Sequence, residues 1–255
     1  MRAYYLILSL FFTVSLSAQN TAIAAGEKLT YTASYNMSGI LTDIAQVTLQ
    51  TSNVMTSKTT LLRLKCTALT YSKWDSFFKI RDLYESYVNP KTLTPYLYKR
   101  DINEGSYFKN MKYTFSHKTK TVKSVLTKKK NYVEKKNFSF NSGTKDIVST
   151  IYNIRLFDYE SMNVGSKKTV TILFDRKENK AQLTYLGKET INTAIGSKTC
   201  YKLAISASNS DVLKGTNSNL IWLTADANKI MVYGKFKIPV GNGELKIKSA
   251  SGLKN

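Results

Sequence analysis

Asp226 and Asn228 lie in "IWLTADANKIMVYGKF", between two apolar runs, where short polar side chains can face a substrate or fold back on the chain. Side chains of this length bond the backbone of a tight turn directly, so the stretch reads as a turn between two strands. The single histidine, His117, sits in the turn-like "FSHKTKT" among lysines, which reads as an exposed position. No G-x-S-x-G elbow accompanies it, and a Ser-His-Asp or Cys-His arrangement has no second histidine to use. One histidine and two distant cysteines, Cys66 and Cys200, do not make a zinc site, and no acidic run resembles a calcium loop. The close carboxylates are Asp82 and Glu85, Asp101 and Glu104, Asp158 and Glu160, and Asp175 and Glu178. Glycoside hydrolysis needs two carboxyls facing each other across a cleft, which neighbours on one strand do not supply. The residues assign no catalytic group, no cofactor and no metal.

Binding has better material. Tyr84, Tyr98, Tyr113, Phe115 and Trp222 are candidates to line a concave β surface against an acyl chain or a sugar face, and the same residues would also build an ordinary core. The stretch 118–136, "KTKTVKSVLTKKKNYVEKK", carries eight lysines against one acid, Glu134. It reads as two strands joined by a Lys-Lys-Lys-Asn turn, either a soluble hairpin or a docking patch for anionic headgroups. The whole chain has 38 basic and 17 acidic residues, a net charge of +21. Such an excess fits an anionic partner.

Where that partner is met follows from the N-terminus. "MRAYYLILSLFFTVSLSAQN" has one basic residue, an uncharged apolar run from Ala3 to Leu16, then small residues. The run is shorter than the ~20 residues of a spanning helix and reads as a signal peptide within residues 1–24, cut between 17 and 24. Cleavage removes Arg2, leaving 37 − 17 = +20. An exported protein, periplasmic or extracellular, meets envelope lipid, glycan or another envelope protein rather than nucleic acid. Export also permits a Cys66–Cys200 disulfide. Against that, "LLRLKCTALTY" puts Cys66 on the apolar face of its strand, while "TCYKLAIS" puts Cys200 on the face opposite Tyr201, Leu203 and Ile205.

The elements that would position these residues are mostly strands. Period-two alternation recurs in "KLTYTASYNM", "DIAQVTLQ", "NMKYTFSH", "KTVTILFD" and "AQLTYLG". Hairpin turns are expected at "NMSGILTD", "SHKTK", "DRKENK", "AIGSK" and Gly241-Asn242-Gly243. "DIVSTIYNIRLF" instead spaces Ile147, Val148, Ile151 and Ile154 for a helix, with Asp146 as its N-cap. The expectation is an all-β domain: a strongly curved antiparallel sheet, barrel or half-barrel, with one short helix around 146–157. The helix separates two β lobes of one domain, about 26–142 and 160–252.

"NLIWLTADANKIMVYGKFKIPVGNGELKI" resembles the closing segment of the exported bacterial family called domain of unknown function 3108. Further matches are "FFKIRDLYESYVNPKTLTPYLYKRDINEGSY", "DIVSTIYNIRLFDYESMNVG" and "YLGKETINTAIGSKTCYKL". Asn89 and Met231 depart from the family's usual Asp and Pro. The resemblance implies an exported β-rich fold and brings no reaction, cofactor or site residue. The shape it suggests is similar to the lipoprotein-carrier half-barrels of the periplasm. The expected function is a non-enzymatic envelope binding protein for an amphiphile, lipid or glycan. The alternatives are an envelope glycan hydrolase and a structural or assembly factor.

Overall fold

Fifteen strands and one α-helix make up most of the described residues. The computed structural model describes residues 19–37, 39–128, 132–207, 219–238 and 241–255. The expected leader up to residue 18 and the 129–131 turn lie outside those residues. The first run of strands is β1 (Lys28–Met37), β2 (Ile40–Met55), β3 (Thr60–Thr70), β4 (Arg81–Val88), β5 (Pro95–Glu104), β6 (Tyr107–Ser116), β7 (Thr121–Lys128) and β8 (Tyr132–Ser139). Then come the two-residue β9 (Lys145–Asp146) and α1 (Ile147–Asn153), which a 3-10 turn extends through Ile154–Leu156. The second run is β10 (Lys167–Phe174), β11 (Lys177–Thr193), β12 (Gly196–Ala207), β13 (Leu220–Thr224), β14 (Met231–Ile238) and β15 (Gly241–Ser251).

All fifteen strands belong to one sheet, ordered 8-7-6-5-4-3-2-1-15-14-13-12-11-10-9. Each run is an up-and-down meander, and the two runs meet where β1 pairs antiparallel with β15. The free edges β8 and β9 are adjacent in sequence, separated only by residues 140–144. Laid flat, fifteen strands ~4.8 Å apart would put those edges ~65 Å from each other. Six peptide links reach only ~20 Å. The sheet therefore curls until its edges approach, without a ladder between β8 and β10 to close it.

Alternation decides which side chains the curl encloses. Leu29, Tyr31 and Ala33 of β1 lie opposite Leu49, Val47 and Ala45 of β2, and Cys66 of β3 lies between Leu49 and Tyr84 of β4. This face continues through Ser86, Tyr98, Tyr113 and Ser124. Helix α1 packs inside it, burying Val148 and Tyr152 against Leu62, Leu64 and Tyr31. The spacing of Ile147, Val148, Ile151 and Ile154 that predicted the helix is what turns one apolar stripe to the sheet. Asp146 caps it, accepting from Ser149 N–H at 2.9 Å and from Ser86 Oγ at 2.6 Å. Beyond the helix, Ile154 and Tyr159 cover Leu183, Tyr201, Leu203 and Ile221 in the second run.

Two turn expectations change. Gly241-Asn242-Gly243 begins strand β15, and the β14–β15 connection falls at 239–240, outside the described residues. "DRKENK" tightens to a two-residue turn, with Asp175 (φ 45°) and Arg176 (φ 65°) both left-handed as a type I′ hairpin requires.

Candidate functional site

Inside the curl three of the aromatic candidates are buried. Tyr98 and Tyr113 are each 1% exposed, and Phe115 is 6% exposed. Their rings touch in a chain: Tyr98 to Tyr113 at 5.4 Å, then Tyr113 edge-on to Phe115 at 6.4 Å. Tyr84 shares this face, half-buried. Four of the five aromatic candidates thus share the inner face, where Tyr113 and Phe115 also pack edge-on against Phe138 and Phe140. Trp222 is not brought to them. It stands on the opposite face of the sheet, beside Tyr233 of β14, with ring centroids 4.8 Å apart.

The inner wall near β5–β8 is occupied by the β10–β11 turn. Asp175 pairs with Arg100 and, at 2.7 Å, with Lys109 Nζ. Arg176 Nε donates to Ser124 Oγ at 2.9 Å, its Nη1 pairs with Glu134, and its backbone N–H donates to the Tyr113 hydroxyl at 2.9 Å. Glu178 accepts from Asn141 N–H and Thr144 Oγ1. Side chains, not a β-ladder, thus latch the second run to the far end of the first. Burial pulls the Asp175 carboxyl up, but Lys109 and Arg100 outweigh it and hold it below the usual carboxylate range.

Three other groups have structural surroundings. The Asp82 and Glu104 carboxyls hydrogen-bond to each other, and burial above all raises both. Two carboxyls in direct contact do not match the ~5 to 9 Å separation across a scissile glycosidic bond. His117 is not the exposed turn residue expected: it is half-buried, stacked on Phe115, edge-on to Tyr96 and Phe140, with Nε2 2.6 Å from the Pro95 carbonyl oxygen. Lysine neighbours in sequence hid the aromatic neighbours in space. Asp226 Oδ1 accepts from Thr224 Oγ1, Asn228 N–H and Lys229 N–H at 2.7 to 3.0 Å, so it caps its turn. Asn228 goes further and holds the C-terminus, accepting from Asn255 N–H at 3.0 Å.

Cys66 and Cys200 are both free. Burial pushes their thiols up to about 12 and about 11, which keeps them protonated and unreactive. Among the described residues, no group of three or more His, Cys, Asp or Glu side chains is placed to hold a metal.

A concavity lies outside the curl. Thr32, Lys246 and Tyr233 sit side by side across β1, β15 and β14, on the face opposite Tyr31 and Leu245. Over them leans the tip of the long β11–β12 hairpin, residues 191–194, leaving a half-open groove of about 560 Å³. Its lining is mostly apolar, with Ile191, Ala194 and Val232 against Lys246, Lys248 and Asp43. Trp222 stacks behind Tyr233, donates from Nε1 to Glu189, and has Lys202 over its ring at 5.4 Å. Of the groove, the sequence reading found only Trp222 in its surroundings. Ile191 and Lys246 looked like ordinary strand residues, and no local pattern places a hairpin over a sheet fifty residues away.

The model of the family described as protein of unknown function DUF3108 matches residues 30–248. No curated protein matches the chain. The structure is similar to that of a β-barrel-like protein of domain of unknown function DUF1849 from Brucella abortus. The TM-score is 0.56 and the identity 6%, over 89% of this chain and 97% of that one. At that identity the likeness shows the fold alone. A Bacteroides fragilis protein with a YmcC-like fold matches with a TM-score of 0.35 and 10% identity, over 90% of this chain and 97% of that one.

Proposed function

We propose, on the premise that this chain belongs to the DUF3108 family, that it is a non-enzymatic binding protein of the cell envelope whose ligand is an anionic amphiphile held in the outer groove. An acyl chain would lie along Ile191, Ala194 and Tyr233, with an anionic headgroup at Lys246 and Lys248. The observation that carries the reading is the groove itself: a mostly apolar lining with lysines at its rim, about 560 Å³ in volume. Ligand pockets commonly run ~300–1,000 Å³. The apolar lining favours an acyl chain over a glycan. The burial of Tyr98, Tyr113 and Phe115 supports an outer site over the concave aromatic wall, and the +21 charge supports an anionic headgroup. Export, by the apolar leader before residue 17, belongs to the same proposal.

Trp222 makes the reading testable, because Tyr233 connects it to the groove. A Trp74→Phe chain keeps Trp222 as its single tryptophan. Titrated with lysophosphatidylglycerol below its micelle concentration, it should show a saturable change in emission, weaker with lysophosphatidylcholine. Ile191→Asp should weaken binding about tenfold or more. A flat titration, together with native mass spectra free of bound lipid, would overturn the proposal.

A further inference from the structure

The molecule has one greasy end. Strand directions place the turns at 71–80, 105–106 and 175–176 at one end of the sheet, with the ends of β1 and β7 and the starts of β2 and β8, and those at 56–59, 89–94, 117–120 and 194–195 at the other. Twelve large hydrophobic side chains are exposed among the described residues, and only Met55, Tyr96 and Val164 belong to the second end, leaving 12 − 3 = 9 at the first. They include Ile40, Leu41, Tyr107 and Tyr132 on the hairpins, and Phe77 and Phe78 at 80% and 52% exposure on the β3–β4 loop. Scattered apolar residues are ordinary on a surface, but nine gathered on one rim are not.

The β3–β4 loop is built to hold its aromatics out. Trp74 Nε1 donates to the Asp43 carbonyl at 2.8 Å, fixing the loop to β2. Phe77 N–H and Phe78 N–H both donate to the Trp74 carbonyl, at 2.9 and 3.0 Å. Asp75 accepts from Thr70 Oγ1 at 2.6 Å and pairs with Arg81, so the loop's one acid is already neutralised. What remains toward solvent is Phe77 and Phe78 between two exposed lysines, Lys73 and Lys79, with Lys73 Nζ over the Trp74 ring at 5.6 Å. The exposed Lys128, last residue of β7, is at this same end.

We infer that this rim docks on a bilayer surface containing anionic lipid, with Phe77 and Phe78 entering the interface and Lys73 and Lys79 meeting the headgroups. Aromatic side chains favour the membrane–water boundary, and each lysine near an anionic surface adds attraction that salt screens. Charge selects a bilayer over a second copy of this chain, since two copies joined rim to rim would bring their lysines together. Docking stands without the groove. If the groove reading also holds, the docked pose lays its Asp43 wall beside the bilayer, because Asp43 both lines the groove and anchors Trp74.

A Trp222→Phe full chain reports the loop through Trp74 alone. On phosphatidylglycerol vesicles its emission should move to shorter wavelength and be quenched by brominated acyl chains, with little change on phosphatidylcholine. Phe77→Asp with Phe78→Asp should lower vesicle affinity about tenfold or more. Lys73→Glu with Lys79→Glu should remove the preference for phosphatidylglycerol and its salt sensitivity. Trp74 emission that stays unshifted on sedimenting vesicles would overturn the inference. So would Asp variants that bind as well as the parent, or a concentration-dependent dimer that those variants dissociate. Circular dichroism checks that the variants fold. The lysolipid titration read at Trp222 contains no bilayer, so each reading can fail alone.

Discussion

Arg155 and Glu27, 128 residues apart, form a two-armed ion pair, Nη1 to Oε1 and Nη2 to Oε2 both at 2.7 Å, with side chains 3% and 0% exposed. The guanidinium also donates to the Ala22 and Asn228 carbonyls and lies over the Tyr152 ring. One side chain thereby joins the segment before β1, the helix and the β13–β14 turn. Removing one partner from a buried pair leaves a charge without compensation, typically at a cost of about 3–5 kcal/mol. Urea denaturation of Arg155→Ala and of Glu27→Gln should each show a loss of that size. The double replacement Arg155→Met with Glu27→Met should lose less than the sum.

The Asp175 latch should loosen in acid. Its carboxyl is depressed in the folded protein, so its stabilising contribution is full above the unfolded carboxyl's pKa, roughly 3.9, and is lost as pH falls through the lower folded value. The protection of the Arg176 amide, which donates to Tyr113, relative to its intrinsic exchange rate should fall below about pH 4. In Asp175→Asn the same amide should already exchange faster at pH 7 and lose that acid dependence.

The Asp82–Glu104 pair should act in the opposite direction. Both folded values are raised, so ionising the pair opposes folding, and stability drops as pH rises from the unfolded carboxyl range through the raised values. Asp82→Asn keeps an acceptor for Asn103 N–H and removes one charge. Melting curves should place it above the parent at pH 7, with the gap narrowing toward pH 4.

Gly252, just after β15, meets Gly26, just before β1. A Cβ there would stand 2.1 Å from the Gly26 carbonyl oxygen, a backbone atom that cannot step aside alone. Gly165 also has a positive φ, 88°, but a Cβ there meets nothing within 4 Å. Gly165→Ala should therefore cost about 1–2 kcal/mol of backbone strain. Gly252→Ala should cost more, read as the difference between their denaturation midpoints.

Local chemistry in the sequence determined much of this protein. Alternation separated Leu29, Tyr31 and Ala33 from their polar neighbours and put Cys66 and Cys200 on opposite faces, because side chains along a strand alternate whatever the strand pairs with. Asp146 and Asp226 were legible for a similar reason: a short acid bonds backbone within three residues, so its role is set before the chain folds up. Trp222 was not legible. "LIWL" is apolar on both sides, and the register shift between Trp222 and Leu223 is a property of the pairing with β14, so period-two counting cannot choose the face. Only the tertiary structure decided that β1 meets β15, that the β10–β11 turn enters the curl to meet Tyr113, and that the β11–β12 hairpin leans over Tyr233. Alternation says which residues share a face. Curvature and long-range pairing decide whether that face becomes core, groove or rim, and those depend on segments far apart in the chain.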